Sequence, residues 1–418
     1  MLLRLPEFQA MRALAPDGRV LFGTRIARLF AYGFLSVILV LYLAEMGLSH
    51  EQIGALLTLT LIGDTAISLW ITTNADRIGR RRMLSVGAGL MILAGVLFAL
   101  TSEFAVLLMA ATIGVISPSG NEVGPFLPIE QAALSQTVPN EQRTQVFAWY
   151  NLVGSFATAL GALCGGLAQA LQGSGLAPLD SYRVIVMAYA AIGLALGGLF
   201  SRLSAAVEAR TPTLPYTHAS ANRLGLHRSQ GVAFRLAALF ALDAFAGGFV
   251  LQSVVAYWFF VRYGVQEATL GGIFFGANVL AGMSALLAAR VAARIGLIRT
   301  MVFTHIPSNI LLIVVPLMPD LPLAIAVLLL RFSISQMDVP TRQSYTMAVV
   351  SPDERSAAAG VTGVARTIGA ALSPAIAVPL QGIPALLSVP FFLAGGLKIA
   401  YDLLLYRSFK AIEPPDEK

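Results

Sequence analysis

Twelve long apolar segments, separated by shorter polar links, dominate the hydrophobic pattern of this chain. A helix needs about 20 apolar residues to cross the hydrocarbon core of a bilayer, and most of the segments reach that length. The pattern therefore predicts twelve transmembrane helices, at residues 20–44, 51–73, 83–101, 104–136, 143–171, 182–203, 233–261, 268–289, 299–318, 321–350, 356–381 and 384–407.

One long polar link, residues 204–232, divides these spans into two sets of six. The predicted fold is an all-α integral membrane protein with two pseudo-symmetric six-helix bundles. We place the first bundle at residues 1–203, a central loop at 204–232, and the second bundle with a short tail at 233–418.

The two halves repeat each other in sequence. A shift of 217 residues aligns the first part of each half and a shift of 212 the second part, as four pairs illustrate: Gly47 on Gly264, Arg77 on Arg294, Pro128 on Pro340 and Gln131 on Gln343. Parallel repeats of this kind are typical of transporters whose substrate site lies at the repeat interface.

Composition agrees with a membrane protein, since 57% of the 418 residues are hydrophobic, 12% are charged and the mean hydropathy is +0.76. Most arginines lie in the links that follow even-numbered spans, which predicts that both termini and the central loop are cytoplasmic. The net charge of +6 therefore reflects topology and indicates no nucleic-acid partner. Short loops and Ala- and Arg-rich usage favour a prokaryotic plasma (inner) membrane, and we expect a functional monomer.

The sequence indicates no cofactor or metal. Cys164 is the only cysteine, so there is no internal disulfide. The four histidines are scattered, without the spacing of a metal site, and no Walker-type phosphate loop occurs.

Charged residues inside the predicted spans are the candidate functional groups, because charge at bilayer depth is expensive and usually functional. They are Arg28, Asp64, Glu122, Glu130, Asp243, Arg331, Asp338, Arg366 and Lys398. At about 1.5 Å per residue, Glu122, Asp243 and Arg331 lie half-way along their spans and are predicted to meet at one level. Glu130 and Asp338 form a second tier nearer the cytoplasm.

Two interpretations of these charges stay open. A carboxylate whose solvation and cation partner change during transport can load and release a proton, which makes Glu122, Asp243, Glu130 and Asp338 the proton-coupling candidates. In the alternative, Arg28 or Arg331 forms a fixed ion pair that only holds helices together. The predicted substrate-binding residues are Arg28, Tyr32, Asn121 and Arg331.

Prolines in the spans that carry these acids add a further prediction. Pro118, Pro125 and Pro128 in span four and Pro340 in span ten remove backbone hydrogen bonds and are expected to kink or loosen these helices. Matched breaks in corresponding spans point toward a binding site.

The link between spans two and three reads Asn74-Ala-Asp-Arg-Ile-Gly-Arg-Arg-Arg82. It resembles the signature loop G-x-L-A-D-R-x-G-R-R of the major facilitator superfamily, except that Thr72 replaces the glycine and Asn74 the leucine. The resemblance implies twelve helices, with spans one, four, seven and ten lining the central cavity. It also implies a cytoplasmic gate, in which Asp76, Arg77 and Arg80 latch the two halves together.

A second resemblance is partial. Gly161-Ala-Leu-Cys-Gly165-Gly166 is similar to the G-P-x-x-G-G run of drug–proton antiporters in that superfamily, with Ala162 in place of proline. Small residues in this pattern also allow close helix packing whatever the substrate.

These observations predict a secondary active transporter that exports a small, partly apolar compound in exchange for protons. The alternative is a transporter of an organic anion, such as a phosphorylated or carboxylated metabolite, clamped by Arg28 and Arg331. An intramembrane enzyme is disfavoured, because the serine of Gly47-Leu-Ser-His50 has no identifiable paired base; a non-transporting receptor is the remaining class. The expected partners are a small-molecule substrate, protons and the lipid bilayer.

Overall fold

The computed structural model describes residues 14–138, 140–208, 226, 228–351 and 354–410. Within these ranges the chain forms seventeen α-helices. They are α1 Pro16–Glu45, α2 His50–Ile78, α3 Arg80–Leu100, α4 Phe104–Ile113, α5 Phe126–Thr137, α6 Asn140–Cys164, α7 Leu167–Gly173, α8 Pro178–Ser201, α9 Gln230–Gly248, α10 Gln252–Tyr263, α11 Glu267–Ile295, α12 Leu297–Val314, α13 Leu321–Phe332, α14 Asp338–Val349, α15 Arg355–Leu372, α16 Pro374–Gln381 and α17 Val389–Phe409.

Among the described residues, ten stretches of helix are long and apolar enough to cross a membrane, and α4 and α13 are shorter apolar helices. Helix α4 continues after a break into α5, and α13 into α14, which completes spans four and ten. Each of the twelve predicted spans therefore contains helix. The all-α, twelve-span fold is confirmed.

The chain forms two compact units. Unit 1 comprises Met1–Ser49, Ile62–Pro212 and Val265–Phe275, and unit 2 comprises His50–Leu61, Thr213–Gly264 and Gly276–Lys418. The boundaries at 203 and 233, which follow chain order alone, stay a prediction.

Within each unit, the first span of that half crosses the fifth span at a point of very close backbone approach. In unit 1 an added Cβ on Gly33 of α1 would lie 2.1 Å from the carbonyl oxygen of Thr158 in α6. In unit 2 an added Cβ on Gly248 of α9 would lie 2.5 Å from the carbonyl oxygen of Ala370 in α15. These crossings are structurally equivalent, so residues of α1 correspond to residues 215 later in α9, and residues of α6 to residues 212 later in α15.

The two units differ in how their fourth span is interrupted. In unit 1 the helix stops at Ile113 and resumes at Phe126, whereas in unit 2 it stops at Phe332 and resumes at Asp338. The change of sequence shift from 217 to 212 falls in these breaks. The prolines predicted a kinked or loosened helix, and in unit 1 the fourth span is fully interrupted. Gly120 and Gly124 turn the chain there through positive φ angles, beside Pro118 and Pro125.

The glycine run at the end of α6 packs helices together. An added Cβ on Gly161 would lie 2.0 Å from the carbonyl oxygen of Phe30, and one on Gly166 would lie 2.6 Å from the Cα of Ala268. The geometry thus supplies a packing role for this run, while its antiporter-specific meaning stays a prediction.

We expect Gly161→Ala to lower the free energy of unfolding by about 1–3 kcal/mol, the usual effect of overpacking. The matched control is Gly197→Ala in α8, where an added Cβ meets no described atom within 4 Å. Because alanine is the better helix former, this control should be neutral or slightly stabilising, by about 0.5–1 kcal/mol. Thermal unfolding in detergent micelles measures both, and equal effects would contradict the close-packing interpretation.

Candidate functional site

Two arginines and two glutamates form a buried ionic cluster in unit 1. This unit-1 cluster consists of Arg25 and Arg28 on α1, Glu122 in the break and Glu130 on α5. Arg28 donates through Nη1 and Nη2 to the two carboxylate oxygens of Glu130, at 2.8 and 2.7 Å, and through Nε to Glu122 Oε1 at 2.8 Å. All three guanidinium nitrogens of Arg28 are therefore occupied.

Glu130 is fully buried and has four donors. Besides the two from Arg28, it accepts a hydrogen bond from Thr24 Oγ1 at 2.7 Å and one from the hydroxyl of Tyr150. A buried carboxylate with this many charge-assisted and neutral donors is well compensated. Its geometry suits a fixed tie between α1, α5 and α6.

Glu122 has different surroundings, since it lies in the break and its side chain is 16% exposed. Its Oε2 accepts a hydrogen bond from Arg25 Nη1 at 2.7 Å. Arg25 is also held by α6, because its Nε donates to the carbonyl oxygen of Tyr150 at 2.8 Å. Glu122 is thus the carboxylate of this cluster that combines two arginine partners with partial exposure.

The backbone around Glu122 is held by three side chains. Asp64 Oδ1 accepts a hydrogen bond from the Gly124 amide at 2.7 Å, Tyr32 donates to the carbonyl oxygen of Val123 at 3.1 Å, and Tyr189 donates to that of Val115 at 2.5 Å. Tyr32, predicted to bind substrate, is fully buried in this role, while the side chain of Asn121 is exposed. Whether either contacts a substrate stays a prediction.

A second buried ionic cluster lies in unit 2. This unit-2 cluster consists of Asp243 on α9, Asp338 and Arg342 on α14, Arg366 on α15 and Lys398 on α17. Asp243 accepts a hydrogen bond from Lys398 Nζ at 2.6 Å through Oδ1 and one from Arg342 Nη1 at 3.1 Å through Oδ2. Arg342 Nη1 also donates to Asp338 Oδ2 at 2.9 Å, and Arg366 Nη1 lies 3.8 Å from Asp243 Oδ2.

Arg331 was predicted to lie at the level of Asp243, and it occupies the last turn of α13. Its guanidinium carbon lies 4.7 Å from the centroid of the Phe332 ring, and its charge interacts with that of Asp338. Its buried Nε has no hydrogen-bond partner among the described residues.

The two clusters are related by an exchange of sign. The shift of 215 that relates α1 to α9 places Arg28 on Asp243, and the shift of 212 that relates α5 to α14 places Glu130 on Arg342. The Arg28–Glu130 pair of unit 1 thus corresponds to the Asp243–Arg342 pair of unit 2, with the two charges swapped.

Sequence reasoning missed Arg25 and Arg342, although signals for both were present. The pairing of Gln131 with Gln343 already places Glu130 on Arg342, and Arg25 lies one helical turn before Arg28 on the same face. A third missed feature is Asp402 on α17, which lies 2.9 Å from His305 Nδ1 and accepts from Asn309 Nδ2 at 3.1 Å.

The predicted gate residues lie where α2 meets α3, with Asp76 and Arg77 in the last turn of α2 and Arg80 at the start of α3. Arg80 Nε donates to Asp76 Oδ1 at 2.7 Å, and its Nη1 donates to the carbonyl oxygen of Val207 at 3.2 Å. Glu208 accepts from the backbone amide of Arg80 at 2.6 Å, while Arg77 is exposed. These contacts tie the loop to the chain that follows α8 inside unit 1, and a latch between the two halves stays a prediction.

Comparisons with known proteins are consistent with this architecture. A family model described as Major Facilitator Superfamily matches residues 21–374. An uncharacterized membrane protein of Saccharomyces cerevisiae is 29% identical, covering 99% of this chain and 98% of the relative. The quinolone resistance protein NorA of Staphylococcus aureus is 25% identical over an aligned region that covers 32% of this chain and 33% of the NorA chain. The crystal structure of a D-xylose–proton symporter has a TM-score of 0.71 at 16% identity, covering 93% of this chain and 97% of that one.

Proposed function

We propose that this chain, which belongs to the major facilitator superfamily, exports a small, partly apolar compound in exchange for protons. Membership makes it a secondary transporter that works by alternating access. The proton, the direction of transport and the kind of substrate are the proposed part.

The position and contacts of Glu122 are the observation that supports proton coupling. A coupling carboxylate must reach water in part of the cycle and must have a partner whose state changes with protonation. Glu122 is partly exposed, lies on irregular backbone rather than in a helix, and holds Arg25 at 2.7 Å. Protonation of Glu122 would remove the carboxylate partner of Arg25 and so change the energy of the unit-1 cluster.

The other three candidate carboxylates fit this role less well. Glu130 and Asp338 are buried against arginines and serve as ties, and neither side chain exceeds 6% exposure. Asp243 is equally buried, but its partner Lys398 is a cation that can give up a proton, unlike arginine. We therefore propose Glu122 as the main coupling site and the Asp243–Lys398 pair as a second one.

Export and a partly apolar substrate rest on the resemblance to the quinolone resistance protein. Resistance to a compound is an outcome that its export would produce. Plasma-membrane location, cytoplasmic termini, prokaryotic origin and a functional monomer remain the predictions made from loop charge and composition.

Proteoliposomes with an acidic interior test this proposal, with a fluorescent quinolone as the probe. We expect proteoliposomes that contain the protein to accumulate the probe only while the proton gradient lasts. Glu122→Gln should lose this gradient-driven accumulation but retain exchange of the probe at equal pH, because exchange needs no net proton movement. Glu103→Gln, an exposed carboxylate before α4, is the matched control and should behave like the unchanged protein. Accumulation that is indifferent to the gradient, or unchanged in Glu122→Gln, would overturn the proposal.

A further inference from the structure

We propose that the unit-2 cluster binds the carboxylate of an organic anion, and that the guanidinium of Arg366 receives it. The inference deepens the proposed function, on which it rests, by giving the substrate a charged group. The clamp predicted from sequence used Arg28 and Arg331, but the guanidinium nitrogens of Arg28 are taken by Glu122 and Glu130. We therefore place the proposed anion site in unit 2.

The charge balance of the two clusters differs. In the unit-1 cluster two arginines face two glutamates. In the unit-2 cluster Arg342, Arg366 and Lys398 face only Asp243 and Asp338. Nearby, Arg331 adds one cation and Asp402, which is bonded to His305, adds one carboxylate. With His305 neutral, the surplus is one positive charge, which one carboxylate neutralises.

Two buried guanidinium nitrogens near this surplus have no acceptor. Arg366 Nη1 and Arg331 Nε make no hydrogen bond with any described residue. The 3.8 Å between Arg366 Nη1 and Asp243 Oδ2 is too long for a hydrogen bond, and Asp243 is already occupied by Lys398 and Arg342. Buried donors of this kind are normally paired, so an acceptor from outside the chain fits here.

The repeat shows which acceptor is missing. The shift of 212 places Gly154 on Arg366, and in unit 1 an added Cβ on Gly154 would lie 2.8 Å from Arg25 Nε. Each unit therefore has an arginine near this position, although from different helices. In unit 1 Arg25 is paired with Glu122, a residue of the long break. The break in unit 2 has only five residues, Ser333 to Met337, and contains no carboxylate.

Helix α15 offers an open face beside Arg366. One side of this helix is closely packed, since Gly369 lies against α9. Another side carries the exposed apolar residues Val364 and Ile368. Gly363 lies three residues before Arg366, hence on the same face, and is exposed, with no described atom within 4 Å of an added Cβ. The Arg366 side chain is itself 36% exposed. An anion can therefore approach the exposed part of this side chain.

Binding to purified protein in detergent, measured by titration calorimetry, tests the inference without requiring transport. The probes are benzoate, phenyl phosphate and benzylamine, which share a ring and differ in charge. We expect benzoate to bind most tightly, and Arg366→Gln to weaken its binding about 10- to 100-fold, the usual worth of a charge-assisted hydrogen bond. Arg262→Gln, an exposed arginine at the end of α10, is the matched control and should bind normally.

A steric variant covers the case in which Arg366→Gln fails to fold. Gly363→Leu keeps Arg366 and fills the open space beside it, so benzoate binding should again weaken at least about 10-fold if the site is there. Benzoate binding unchanged in either folded variant, or weaker than that of phenyl phosphate or benzylamine, would overturn the inference. If benzoate binds through Arg366 while proteoliposomes ignore the proton gradient, only the proposed proton coupling fails.

Discussion

Replacing Arg28 with methionine should lower the free energy of unfolding by about 3–5 kcal/mol, the usual effect of breaking a buried ion pair by removing one partner. The reason is Glu130, which is fully buried and whose one cation partner among the described residues is Arg28. Glu122 suffers less, because it keeps Arg25 and is partly exposed. Denaturation in mixed micelles, followed by circular dichroism, measures the loss.

The double variant Arg28→Met with Glu130→Met tests whether the loss comes from leaving the Glu130 carboxylate buried without a cation, or from losing the ion pair itself. Because apolar residues of similar size often replace a buried pair without loss, it should be more stable than Arg28→Met alone. The control is Arg183→Met, whose partner Asp180 is 60% exposed at 3.3 Å, and which should cost at most about 1 kcal/mol. An Arg28→Met effect no larger than this control would refute the tie assigned to Glu130.

Asp243→Asn should have a comparably large effect in unit 2. It removes the carboxylate shared by Lys398 and Arg342, at 2.6 and 3.1 Å, and leaves Asp338 as the only carboxylate in the unit-2 cluster. We expect a loss of about 3–5 kcal/mol in the free energy of unfolding. Asp320→Asn is the matched control: this exposed residue caps α13 through the Leu323 amide, and asparagine caps a helix equally well.

A double-mutant cycle tests whether Lys398 is the partner responsible. Lys398→Met in the Asp243→Asn background should recover part of the lost stability, because it removes a buried cation without a carboxylate. The coupling energy between the two positions should be about 1–3 kcal/mol, as for residues in direct contact. A coupling energy near zero would mean that Arg342, and not Lys398, is the important partner of Asp243.

The hydrophobic pattern was enough to predict the fold. Twelve apolar runs and the parallel repeat define the helices because length and polarity alone decide whether a segment can span a bilayer. The same information placed Glu130 and Asp243 inside apolar spans, and the structure has these two residues on α5 and α9. That information could not give the partner of each charge, since that depends on which face of a helix meets which neighbour.

The breaks show the limit clearly. Proline positions predicted that spans four and ten are loosened, but proline kinks some helices and interrupts others according to tertiary packing. In unit 1 the interruption is long enough to lift Glu122 off the helix, so counting at a constant rise per residue no longer describes its level. In unit 2 the short break leaves Arg331 at the end of α13 without an ion pair among the residues that the structure describes.

Unequal charge in the two clusters also affects how the protein responds to voltage. The two arginines and two glutamates of the unit-1 cluster balance one another, so these four residues carry no net charge through the membrane field when they move. The single surplus charge of unit 2 does, and a full crossing is worth about 2.3 kcal/mol per 100 mV. A bound carboxylate cancels that charge, so the empty protein should feel the membrane potential while the loaded protein is electrically silent.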